Sequence, residues 1–322
     1  MTQQHQSNSN HEALEDLGAG SSFRRKDSNG LGLADLEDIR FRVRAARRDA
    51  LDLRQAIHDW RHRSDVKVEV SLRSGSPDIV DFTLTAGSAF PHQDWALRVG
   101  RILHDCRSAL DNLNTLMIER YSVGELPRRP YFPITEPGRQ WREWAKVHAG
   151  LPSWAIARYE AVQPWASPYH GLHGLQQLNN GDKHRQMIPV QVALVGKIAA
   201  FSTVVEGLVQ DGEELLESVE TGAPVLCAGQ RAVRVASLVV NREVVSLDHD
   251  DVTPDCEIDP DFQYTGGSYR LAEVVELPRR VGLAVDYVAT GDPATLDEFS
   301  ARPAYVAADS DGDVGGDPAA SE

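Results

Sequence analysis

Eight residues, Leu178-Asn-Asn-Gly-Asp-Lys-His-Arg185, bring two amides, a carboxylate, an ammonium, an imidazole and a guanidinium together. An imidazole that titrates near neutrality suits general acid or base work, and a neighbouring carboxylate tunes it. His184 is therefore the candidate acid–base group, with Asp111 or Asp182 setting its proton affinity and Lys183 as a third catalytic candidate. Cations stabilise an anionic phosphate. Arg107, Lys183 and Arg185 are placed in that role, and Asn179 and Asn180 would orient a substrate or a water. A second set, His104, Arg107, Asp111 and Asn114, recurs at steps of three, four and three, so it shares one side of a helix. The binding candidates are thus Arg107, Asn179, Asn180, Asp182, Arg185, His104 and Asn114. The chemistry they suit is metal-independent phosphodiester cleavage, with RNA or a nucleotide as ligand. The same residues equally suit a buried ion-pair and amide network that fixes the register of two helices in a non-catalytic binding or assembly module.

Two helices must position these groups. One starts near Tyr169 and buries Leu172, Leu175 and Leu178. Gly181 costs it about 1 kcal/mol against alanine. The expectation is a helix that continues through Gly181; the rival is a stop at Asn180-Gly181 with Asp182 capping a new turn. The partner helix spans about Pro91 to Tyr121, with Trp95, Val99, Ile102, Leu103, Cys106, Leu110, Leu113 and Met117 on its core face. Cys106 lies in that stripe, which predicts a buried thiol. If the two helices run antiparallel, Arg107 and Asp111 can meet Asp182, Lys183 and His184.

The surrounding chain predicts an α+β fold. A first helix, about Leu33 to His62, carries an apolar stripe and an arginine-rich face that reads as solvated and ion-paired along the helix. A β-hairpin follows around Ser74-Gly-Ser-Pro-Asp78. Leu126 to Ile134 is proline-rich and extended, and shorter helices are expected over Gly138–His148 and Pro152–Val162. Trp141, Trp144, Trp154 and Trp165 read as packing, or as a stacking wall for a ring. Beyond Met187 come β-like runs and a final helix from about Arg279 to Val288. The division is a disordered arm (1–30), a bundle of about five helices with an inserted hairpin (31–187), an antiparallel β region with a final helix (188–300), and an acidic disordered tail (301–322).

The formal charge of −15 argues against wrapping duplex DNA over the whole surface. It leaves room for a local RNA or nucleotide site. A homodimer pairing the basic first helix with the acidic second half is a further possibility. Three widely spaced cysteines fit a reducing cytoplasm. No apolar run reaches bilayer length. The cluster His249-Asp-Asp251, Asp255-Cys-Glu257, Asp259 and Asp261 matches no metal-ligand spacing and reads as a solvated acidic loop. The sequence implies no metal and no cofactor; phosphate loops, dinucleotide fingerprints and nucleophile elbows are absent from it.

The ordered set His104-x-x-Arg107-Ser-Ala-Leu-Asp111-Asn112-Leu113, Phe132-Pro-Ile134, Gln163-Pro-Trp165 and Leu178-Asn-Asn-Gly-Asp-Lys-His-Arg185 resembles a family of uncharacterised bacterial proteins. The likeness covers about Trp95 to Met187 and implies membership without a particular activity. A looser likeness is to HEPN-type helical bundles, many of them metal-independent ribonucleases marked by an arginine followed four to six positions later by a histidine. Arg98 with His104 and Arg142 with His148 have that spacing; a polar residue is common just after the arginine, and here Val99 and Glu143 stand there. This likeness implies a helical bundle and ribonuclease chemistry.

Overall fold

The computed structural model describes residues 30–123, 131–166, 172–183, 188–195, 216–221, 225–240, 257–264 and 267–301. Nearly all of the expected arm and tail, with His184, Arg185 and Asp255, lies outside these residues. Among them are seven α-helices and eight strands, an α+β fold. The helices are α1 (Glu37–Arg63), α2 (His92–Tyr121), α3 (Arg139–Val147), α4 (Ser153–Ala161), α5 (Leu172–Lys183), α6 (Leu271–Thr290) and α7 (Pro293–Ser300). The strands are β1 (Lys67–Arg73), β2 (Ser76–Thr85), β3 (Val190–Val195), β4 (Leu216–Thr221), β5 (Val225–Leu226), β6 (Ala232–Val240), β7 (Glu257–Tyr264) and β8 (Gly267–Arg270). None of the described helices is long and apolar enough to cross a membrane.

The helical layer forms where apolar stripes meet. In α1, Ile39, Ala46, Ala50, Leu53, Ile57 and Trp60 are buried; in α2, Trp95 through Met117 are buried as the periodicity requires. Trp60 meets Trp95 edge-on at 5.4 Å between ring centres, and Phe90 stacks on Trp95 at 5.6 Å. Cys106 is fully buried, and burial pushes its thiol well above the usual range. The arginine face of α1 is ion-paired, but mostly across helices: Arg40 to Asp286 at 2.8 Å and Arg42 to Asp105 at 4.0 Å, beside Arg44 to Glu37 at 2.9 Å.

The final helix starts eight residues earlier than the sequence suggested. Pro278 lies inside α6. A proline there costs about 3 kcal/mol. Val274, Leu277, Val281, Ala284, Val285 and Val288 are all buried along α6, and large apolar side chains gain about 1.5–3 kcal/mol each on burial. Burial wins, and α6 packs back on α1 and α2.

The sequence predicts one antiparallel sheet of about six strands that includes the early hairpin; among the described residues the hairpin does join later strands, but there are two four-stranded sheets. The first has order β1-β2-β6-β4 and the second β5-β3-β7-β8, with every pairing antiparallel. The early hairpin therefore closes on β6, with Ile79 opposite Val239 and Thr85 opposite Ala232. Arg73 binds Asp81 through Nε (3.1 Å) and Nη2 (2.7 Å), and Ser237 Oγ donates to Asp81 across to β6 at 2.7 Å. The hydrogen bonds from Arg73 hold the Asp81 carboxyl below the usual range.

The stretch Glu257–Asp261, expected as a solvated loop, is part of β7 between β3 and β8. Pro260 survives in this central strand for a geometric reason. Gln263 N–H bonds the Pro189 carbonyl at 2.9 Å, so the odd-numbered residues of β7 turn their N–H groups to β3. The Pro260 nitrogen faces the opposite side, beyond the last pairing with β8, Asp261 opposite Arg270. Phe262 and Pro260 share the buried face.

Candidate functional site

The polar stripe of α2 runs from solvent into the core. His104 is exposed, Arg107 and Asp111 are 11% and 24% exposed, and Asn114 is fully buried. Arg107 and Asp111, one turn apart, form a fork: Nε to Oδ2 at 3.1 Å and Nη2 to Oδ1 at 2.9 Å. That fork closes on a piece of main chain. Asp111 Oδ1 accepts the Phe132 N–H at 2.8 Å, and Arg107 Nη2 donates to the Phe132 carbonyl at 2.8 Å. Arg107 Nη1 reaches Gln176 Oε1 on α5 at 3.4 Å.

A second clamp grips the same segment from α4. Gln163 Nε2 donates to the carbonyls of Pro133 (2.9 Å) and Tyr159 (3.0 Å). Gln163 Oε1 accepts from Thr135 N (3.1 Å) and Thr135 Oγ1 (3.4 Å). Trp144 Nε1 adds a bond to the Tyr131 carbonyl at 3.3 Å. Residues 131–135 belong to no helix or strand, so their backbone groups must be satisfied some other way. Side chains do it: Tyr131 O, both polar groups of Phe132, Pro133 O and Thr135 N are each taken up. Phe132 and Ile134 meanwhile anchor the segment in the core. Two of the other three sequence motifs thus converge on the Phe132-Pro-Ile134 backbone.

The helix α5 runs through Gly181 to Lys183, as the continuous reading expected. Among the described residues, Gln176 is the α5 side chain against Arg107. Asn179, Asn180, Asp182 and Lys183 have described backbone in α5, while His184 and Arg185 lie outside the described residues. His104 lines an open groove with Asp94, Leu97, Arg101 and Asp105, away from the fork. Gln163, Gln176 and Thr135 were missed as partners. Only Gln163 left a signal, a glutamine before proline at a helix end.

An aromatic cluster flanks the clamps. Trp141 stacks on Trp144 at 5.2 Å, Trp144 on His148 at 4.2 Å, and Trp165 meets Trp141 edge-on at 6.1 Å. His148 donates from Nδ1 to the Trp144 carbonyl at 2.9 Å, and its Nε2 is buried with no partner among the described residues. Burial holds this imidazole below its ordinary value, partly offset by that carbonyl bond. The Tyr159 hydroxyl is likewise buried and unpartnered, and burial pushes it upward. Of the two arginine–histidine spacings, Arg98 turns to Asp94 at 2.8 Å and Arg142 to the Gly138 carbonyl at 3.3 Å. Among the described residues no group of three His, Cys, Asp or Glu side chains could hold a metal. Comparison with protein-family models, curated proteins and solved structures gives no match.

Proposed function

We propose that the chain is a non-catalytic binding or assembly module, in which the motif residues hold a scaffold. The supporting observation is that Arg107, Asp111 and Gln163 direct their polar groups at the backbone of residues 131–135. A peptide carbonyl and N–H so held offer no reacting atom, and a general base must reach a reacting proton. We place the module in a reducing cytoplasm, a reading supported by Cys106 and Cys227 both being free thiols.

The rival is RNA or nucleotide binding with acid–base cleavage at His184. One observation favours it: the Tyr131 and Trp165 rings are partly exposed at the rim of the aromatic cluster, where a base could stack. One paired experiment separates the two. RNA cleavage by the wild type and by His184→Ala is followed in excess chelator, alongside thermal melts of Asp111→Asn. The module reading expects no cleavage in either protein and a clear fall in melting temperature for Asp111→Asn. Cleavage by the wild type that disappears in His184→Ala replaces it with the enzyme reading.

A further inference from the structure

The outer face of α1 carries two histidines that none of the structural networks uses. His58 and His62 lie one helical turn apart near the end of the helix, and both are exposed. Their Nε2 atoms are 3.0 Å apart, while their ring centres are 4.3 Å apart with planes at 61°. At 3.0 Å the two Nε2 atoms are within hydrogen-bond distance, so one imidazole donates to the other in the metal-free chain, and an ion that displaces that proton meets both nitrogens. Histidines at i and i+4 share a helix face, the spacing by which one ion can touch both.

With metal–nitrogen bonds of about 2.05 Å, nitrogens 3.0 Å apart subtend about 94° at the metal, and the exposed rings can turn to open that angle. An angle near 90° between adjacent ligands belongs to tetragonal or octahedral centres, the preference of copper(II) and nickel(II), and copper(II) heads the affinity order for nitrogen ligands. The groups behind the pair fit as well. Asp59 Oδ1 lies 3.7 Å from His58 Nδ1 and is itself held by Gln55 Nε2 at 2.8 Å. The 3.7 Å separation is too long for a hydrogen bond, so Asp59 contributes a negative charge beside the pair and no more.

We propose that His58 and His62 form a two-imidazole chelate for a divalent transition metal, copper(II) before nickel(II). Two protein ligands leave the other coordination positions to water or to a donor from a partner. The ion ties His58 to His62 across one turn, so it stabilises the end of α1 wherever it binds the folded chain alone.

The test titrates the full chain with copper(II) chloride, and then with nickel(II) chloride, by calorimetry and electron paramagnetic resonance. In the wild type, one site tighter than the rest is expected, its copper spectrum showing two imidazole nitrogens, and the metal raises the melting temperature. Because the second ligand binds intramolecularly, His58→Ala and His62→Ala each weaken that site about a hundredfold, and the double variant is no worse than either. Both histidines are exposed, so the variants keep the fold, and their metal-free melts check this. The proposal is overturned if the double variant binds copper as tightly as the wild type, if each single variant removes only half of two independent weak sites, or if no site stands above the background of the other histidines.

Discussion

Gln163 and Asn114 are both fully buried amides, and they differ in everything else. Gln163 uses two donors and two acceptor positions on Pro133, Tyr159 and Thr135, the full capacity of its side chain. Asn114, one turn beyond Asp111, has no partner for either amide atom among the described residues. A buried amide that is fully bonded specifies one arrangement; one that is unbonded costs about 1–3 kcal/mol. The first is scaffold. The second was a sequence candidate for ligand binding, and its unmet amide is the feature of the α2 stripe that the clamps do not explain.

Substitutions can break that contrast. The largest effect is expected at Asp111→Ala, which strands the Arg107 guanidinium and the Phe132 N–H. A loss of about 3 kcal/mol is expected in denaturant unfolding, and a loss under 1 kcal/mol would mean the fork holds nothing. Gln163→Leu keeps the volume but leaves Pro133 O and Thr135 N unbonded, at about 2 kcal/mol. Smaller again is a pH effect at His148. Its folded imidazole is held below the ordinary value of 6.5, so the unfolded chain takes up a proton first. Stability is full above about 6.5 and falls as the pH drops from there toward the folded value. That slope flattens in His148→Phe, measured by melts between pH 7 and pH 5. The smallest shift belongs to Asn114→Leu, within about 1 kcal/mol and toward higher stability. A marked loss there would show that Asn114 has a partner, and the contrast with Gln163 would close.

The parts of the fold legible in the sequence were those with long, regular periods. The stripes of α1 and α2, the β1–β2 hairpin and the continuity of α5 through Gly181 all follow from local spacing. Misread elements were those where proline or charge masks a stronger tertiary term. Pro278 hid the first two turns of α6, and the carboxylates of β7 hid an alternation that buries Pro260 and Phe262. The pairing of β2 with β6 left no local trace, because antiparallel partners need no shared motif. At the site, the Arg107–Asp111 pairing is visible as an i,i+4 step. Its target is not, since a backbone N–H and carbonyl look alike at every position. A list of polar side chains therefore suggests chemistry even where the groups close on main chain.

The closure of β2 on β6 also sets a schedule. About 150 residues separate the hairpin from its sheet partner. At about 5–20 residues per second of synthesis, β2 stands ready for roughly 7–30 s before β6 exists. During that wait one edge of the hairpin is bare, and bare edges invite strands from other chains. Arg73 and Asp81 both belong to the hairpin, while Ser237 comes with β6. Charged side chains on an open edge discourage foreign pairing, and in the folded protein the same pair is a stitch between β2 and β6.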